Sequence, residues 1–142
     1  MSNLPDTNGI VETGSGVLTR SEIYQQPRMW LDTLDRVARS PSQMAFPAVV
    51  TGAGTSHYAA VAVESAWPEA RAIATTDLLL DVHRYAAKAR MVVSLARSGD
   101  SPESAGVVQS IQRALPEIQH LAITCNAEGK LAHLPGFATL LL

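Results

Sequence analysis

Several things are scarce in this sequence, and each shortage removes a class of function. Cys125 is the one cysteine in 142 residues, so an internal disulfide framework and a cysteine-only metal site are excluded. A reducing, cytoplasmic setting is the expectation. Basic charge is not in excess, because 11 Lys and Arg stand against 13 Asp and Glu. That balance cannot neutralise a phosphodiester backbone, so no nucleic-acid partner is expected, although a small anion needs only a few oriented donors and stays open. No uninterrupted apolar run reaches the ~18 residues of a membrane span. The opening MSNLPDTNGIVETGSGV has no basic start followed by an apolar stretch, so it reads as neither signal peptide nor anchor. The four histidines show no ligand spacing such as H-E-x-x-H, and neither a metal nor a cofactor is expected. Two nucleotide-phosphate signatures are missing as well. Gly52-x-Gly54 is followed by His57 where a dinucleotide fingerprint has its third glycine, and G-x-x-x-x-G-K-[ST] does not occur.

What is present is enough apolar material for one core: 46% of the residues are hydrophobic. Turn formers and small polar residues fill 1–18, which reads as a flexible arm. Helices are expected over 19–46. Thr19-Arg20-Ser21-Glu22 has the spacing of a capping box, and Pro27 suits the first turn of a second helix. In that second helix Trp30, Leu34, Val37 and Ala38 make one apolar stripe.

From 47 to 142 the pattern changes to short apolar runs separated by helical stretches, the alternation of a parallel sheet with crossover helices. Strands are expected at 48–51, 71–75, 91–95, 121–124 and 137–142. Helices are expected at 56–67, 78–88 and 102–115, with a short turn near 129–133. The fold class is therefore a doubly wound α/β domain with a five-stranded parallel sheet. Ligands of such sheets bind outside the carboxyl ends of the strands, where strand order reverses. The fifth strand has no covering helix after it, so the chain reads as truncated there, with apolar surface at Leu140 to Leu142.

Two strand-to-helix junctions carry glycines and hydroxyls. The first is Thr51-Gly52-Ala53-Gly54-Thr55-Ser56, and the second is SLARSGDSPES, 94–104. In the second, Ser101-Pro102 reads as N-cap and first helical residue. Taken singly, both junctions are what caps and turns contain. Two of them at one edge of one sheet, offering bare amides with the hydroxyls of Thr55, Ser56, Ser98 and Ser101, make an anion cradle suited to a phosphate.

The two motifs GAGTSHYAA and SLARSGDSPES, with EIYQQPRMW before the first strand and ITCNAEGKLA after the fourth, resemble the sugar isomerase (SIS) domain. The match is to its tagatose-6-phosphate ketose/aldose isomerase and galactosamine-6-phosphate deaminase-like branch, related to the isomerase half of glucosamine-6-phosphate synthase. The resemblance implies a flavodoxin-like strand order and a hexose or hexosamine 6-phosphate as ligand. It implies phosphate contacts from Ser56, Ser98 and Ser101, with Gly54 and the amides of Gly99 and Asp100 assisting, and Thr55 either capping its helix or joining them. Ala96 stands where the synthase pattern has a serine. Arg97, at the variable position, either pairs with phosphate or sugar oxygens or is an exposed rim charge. Asp77 is read as a helix N-cap, His57 as a packing or rim residue, and Cys125 as a small buried packing residue.

The same resemblance implies that the proton-moving groups lie beyond the fifth strand, so the catalytic residues stay unassigned. This chain alone is expected to bind a sugar phosphate weakly and turn it over poorly. A homo-oligomer, or an association with the missing C-terminal part, is expected. A non-catalytic sugar-phosphate-sensing module is the alternative.

Overall fold

The computed structural model describes residues 14–40, 43–135 and 138–142. They fall into two units, divided between Arg39 and Ser40. The first unit contains one helix, α1 (Gly14–Arg39), with Pro27 inside it. Two helices meeting at Pro27 were expected. The ring fixes φ near the helical value and removes a single amide, and the backbone continues through it. The Thr19 capping box accordingly lies inside α1, which also takes in residues 14–18 of the expected arm. The remainder of that arm, 1–13, lies outside the described residues. The exposed face of α1 carries an Arg39–Asp35 ion pair at 2.8 Å and an Arg28–Asp32 pair at 3.9 Å, both at i,i+4 spacing.

The second unit is a five-stranded sheet. Its strands are β1 (Ala48–Gly52), β2 (Ala70–Ala74), β3 (Met91–Ala96), β4 (Gln119–Thr124) and β5 (Ala138–Leu141). They run in the order β2-β1-β3-β4-β5, and every pairing is parallel. This is the doubly wound, flavodoxin-like arrangement expected from the sequence. The fifth strand was expected to open at Phe137, which lies outside the described residues.

β1 is buried along its whole length because alternate residues feed a core on each face. Val49 packs with Val92, Val107 and Ile111 on one side. Val50 packs with Ala60, Val93 and Leu121 on the other. The crossovers are α2 (Thr55–Ala66), α3 (Thr75–Leu80), α4 (Val82–Ala86) and α5 (Pro102–Ala114), and a 3-10 turn at Lys130–His133 precedes β5.

One helix expected over 78–88 is in fact two. Asp81 leaves helical geometry at φ −149° and its carboxylate accepts from the Arg84 amide at 2.9 Å, capping α4. Asp77, expected as a cap, instead sits in the first turn of α3, whose N-cap is Ala74. Its charge there faces the helix dipole favourably. Cys125, expected to be buried, is exposed. It follows β4 in a turn where its amide, not its thiol, is engaged, donating to Arg97 C=O.

Strand order reverses between β1 and β3, which lie side by side while their crossovers leave in opposite directions. The carboxyl ends of these two strands therefore open the crevice that such sheets offer a ligand.

Candidate functional site

The crevice is built by two loops of different construction. After β1, the chain turns through Ala53 and Gly54 into α2. Gly52 has to lack a side chain, since a Cβ there would meet the Ser56 backbone at 2.6 Å. Gly54 adopts φ +56° as the N-cap of α2, a conformation that glycine reaches without strain. The turn closes on itself through Ser56 N–H to Ala53 C=O at 3.2 Å and His57 N–H to Gly54 C=O at 3.1 Å.

The loop after β3 is held from outside. Its carbonyls are taken by the turn that follows β4. Arg97 C=O accepts from the Cys125 amide at 3.2 Å, and Gly99 C=O accepts from the Leu131 amide at 2.9 Å. Ser98 C=O accepts from Asn126 Nδ2 at 2.9 Å, and Thr124 Oγ1 donates to Arg97 C=O at 3.3 Å. Asn126 is itself fixed, accepting from the Glu128 amide at 3.1 Å in an Asx turn. Gly129 lies against this loop so closely that a Cβ would overlap the Ser98 carbonyl oxygen.

Where a trans peptide's carbonyl points one way, the next residue's N–H points the other. Three consecutive carbonyls drawn toward β4 therefore turn the following amides away from it. Of these, the Asp100 N–H reaches Ser98 Oγ at 3.4 Å. Among the described residues, the Ser98 and Gly99 amides bond to no protein group. Gly99 has φ +69°, and amides presented by such a turn form an anion-binding concavity.

Between the two loops lies a cleft of about 160 Å³, lined by Ala53, Ser56, Leu95, Ala96, Arg97, Ser98, Gly99, Ser101 and Ser104. Of the residues singled out from sequence, it brings together Ser56, Arg97, Ser98, Gly99 and Ser101. Ser56 Oγ has no hydrogen-bond partner among the described residues, and Ser98 Oγ is engaged only as an acceptor from Asp100. Both hydroxyl protons are therefore available to a ligand. Arg97 is exposed and forms no ion pair among the described residues, so its guanidinium is the cation of the cleft. Ser101 is the N-cap of α5, as read from the sequence. Its Oγ accepts from the Ser104 amide at 3.2 Å and donates to Ser104 Oγ at 2.7 Å.

Three sequence candidates stand apart from the lining of this cleft. Gly54 lines a neighbouring cleft. Thr55 is exposed and makes no capping bond for α2. Asp100 turns its carboxylate outward to accept from the Lys130 amide at 3.1 Å, so it anchors the 3-10 turn.

Sequence reading did not single out Ser104, nor the supporting role of Asn126 and Gly129. The Asn-Ala-Glu-Gly string at 126–129 is a turn signal, yet nothing in it names the loop it supports. Ser94 Oγ and His120 Nε2 lie 2.9 Å apart in the core between β3 and β4. Burial pushes the His120 pKa down to about 4. Among the described residues no helix is long and apolar enough to cross a membrane.

No protein-family model matches the chain. Individual proteins do. A putative D-galactosamine-6-phosphate deaminase AgaS from Streptomyces coelicolor is 37% identical over 138 residues, covering 83% of this chain and 35% of the relative. The D-galactosamine-6-phosphate deaminase AgaS of a Shewanella species is 33% identical over 135 residues, covering 81% and 35%. The crystal structure of a putative tagatose-6-phosphate ketose/aldose isomerase from Clostridium novyi superposes with a TM-score of 0.64 at 32% identity, covering 85% of this chain and 36% of that one. The chain thus spans about a third of the length of the curated relatives it matches. These relatives are the branch that the two loop motifs resemble.

Proposed function

We propose, for a chain homologous to SIS-type galactosamine-6-phosphate deaminases and tagatose-6-phosphate isomerases, that the cleft between β1 and β3 holds the phosphate of a hexose or hexosamine 6-phosphate. In this reading the chain is the phosphosugar-binding part of an amino-sugar-phosphate isomerase or deaminase. The observation that carries it is the anchored loop after β3. Its carbonyls are consumed by the β4 turn while the Ser98 and Gly99 amides, the Ser56 and Ser98 hydroxyls and the Arg97 guanidinium surround one small cleft. An array of donors with one cation suits a dianion.

The phosphate is chemically inert in an aldose-ketose isomerisation or a deamination. Gripping it supplies binding energy remote from the reacting carbons and orients them. The Gly54–Ser56 segment contributes through the start of α2, whose dipole favours an anion. A partner belongs to the same reading, supported by the edge strand β5, where Leu141 is 37% exposed. Sedimentation velocity is expected to show more than a monomer.

The direct test is titration calorimetry with galactosamine 6-phosphate. Ser98→Ala is expected to weaken binding by about 1 kcal/mol or more, the scale of a hydrogen bond to a charged group. Unchanged affinity would refute the assignment of the cleft.

A further inference from the structure

A second cleft, of about 260 Å³, adjoins the first across Ala53, which lines both. Its other walls are Gly52, Gly54 and His57 from the start of α2, Ala74, Thr75 and Thr76 from the end of β2 and start of α3, and Glu103 from the first turn of α5. Ser56 faces one cleft and His57 the other. Likewise Ser104 lines the first and Glu103 the second, so a ligand in one cleft has the other beside it.

The two clefts differ in charge. Among the described residues, Arg97 is the only Lys, Arg, Asp or Glu lining the first, and Glu103 is the only one lining the second. The Thr75 hydroxyl is already paired with Thr51 at 3.1 Å, which leaves Thr76, His57 and Glu103 as the polar side chains free to meet a ligand. His57 Nδ1 is buried with no hydrogen-bond partner among the described residues, an arrangement with a free-energy cost while no ligand is bound. Glu103 also suits the dipole of α5, but that role does not require it to line a cleft.

An acid beside a cation-bearing anion cradle is complementary to a ligand with a negative and a positive end. We infer that the His57–Thr76–Glu103 cleft receives the amine-bearing end of an amino-sugar phosphate, and that Glu103 is the residue that selects an amino sugar over its neutral counterpart. This rests on the phosphate reading of the neighbouring cleft. The Glu103 carboxylate accepts hydrogen bonds from the ligand's ammonium group, while Thr76 and His57 meet adjacent hydroxyls. A neutral sugar phosphate gains no charge-assisted bond at that position.

The test is calorimetric titration of the full chain with galactosamine 6-phosphate, galactose 6-phosphate and inorganic phosphate. The chain is expected to prefer galactosamine 6-phosphate over galactose 6-phosphate by about tenfold, the scale of one charge-assisted hydrogen bond. Glu103→Gln is expected to bring that ratio close to one while binding inorganic phosphate no more weakly, which also reports that the variant is folded. Ser98→Ala is expected to weaken all three ligands and keep the ratio. If the chain shows no preference, or Glu103→Gln retains it while Ser98→Ala still weakens all three, the selectivity inference is overturned and the phosphate reading stands. Should none of the three bind, the phosphate reading fails and takes this inference with it.

Discussion

The two loops that meet at the switch point share an outline and differ in what holds them. The β1 loop is local, because glycine geometry at Gly52 and Gly54 and two backbone bonds within its own turn define it. The β3 loop is non-local, because its shape is set by Thr124, Asn126 and Gly129, residues about thirty positions downstream at and after the end of β4. A loop closed on itself forms whenever its sequence folds. A loop anchored by its carbonyls is fixed only when the sheet has been assembled, and it then presents its amides with little further ordering cost. Substitutions outside the cleft should therefore matter far more for the second loop than for the first.

The strongest way to break this comparison is to fill the glycines. Gly129→Ala places a methyl on the Ser98 carbonyl oxygen and 3.2 Å from Gly99 Cα. It is expected to cost about 3 kcal/mol of stability by overpacking and to abolish phosphate binding, measured by chemical denaturation and calorimetry. Gly52→Ala, with its Cβ 2.6 Å from the Ser56 backbone, is expected to be comparably destabilising but to leave the β3 loop amides in place. Loss of ligand binding in Gly52→Ala and retention in Gly129→Ala would reverse the ranking of the loops.

A smaller effect comes from pH. His120 is held neutral in the fold, its pKa pushed down to about 4 by burial, whereas in the unfolded chain it takes up a proton near pH 6.5. The unfolded state binds more protons in that interval, so stability falls on acidification from about pH 6.5 toward about pH 4. The expected loss is about 2 kcal/mol by about pH 5. His120 pairs with Ser94 between β3 and β4, the strands that lead into the anchored loop and into the turn that anchors it. Urea denaturation at several pH values, repeated for His120→Gln, reads it, and an unchanged slope in the variant would contradict it.

The smallest effect sharpens the comparison. Asn126→Ala removes the donor to Ser98 C=O at 2.9 Å and the acceptor for the Glu128 amide without touching the cleft. It is expected to weaken inorganic phosphate binding severalfold, an effect of about 1 kcal/mol, while Thr55→Ala on the exposed first turn of α2 leaves it unchanged.

How legible these loops were in the sequence follows from the same distinction. Gly52-Ala53-Gly54 and Ser101-Pro102 announce their roles within a few residues, since positive φ and helix capping are local requirements. The doubly wound parallel sheet could also be anticipated, because alternating apolar runs and helices restrict the topology, while its strand order followed from the family resemblance. The single helix through Pro27 and the break at Asp81 were not legible. Each depends on whether a proline costing about 3 kcal/mol in a helix interior, or a capping carboxylate worth about 1 kcal/mol, wins against its neighbours. The Asp100 amide and the Thr55 hydroxyl read as ligand contacts because the resemblance to the family carries them onto the cradle. The direction of the Asp100 side chain was decided by the Lys130 amide, which sequence spacing does not pair with it. Asn126 and Gly129 carried no sign of their partner for the same reason: a contact across adjacent strands leaves no periodicity behind.

The capture of Ser98 C=O by Asn126 has one more implication. The residues that hold the β3 loop also connect β4 to the 3-10 turn before β5, so under the proposed reading phosphate in the cleft and order in residues 125–131 are thermodynamically linked. Phosphate should slow amide hydrogen exchange in that segment, and a chemical change at exposed Cys125, one peptide from both anchors, would be felt by a ligand it never touches.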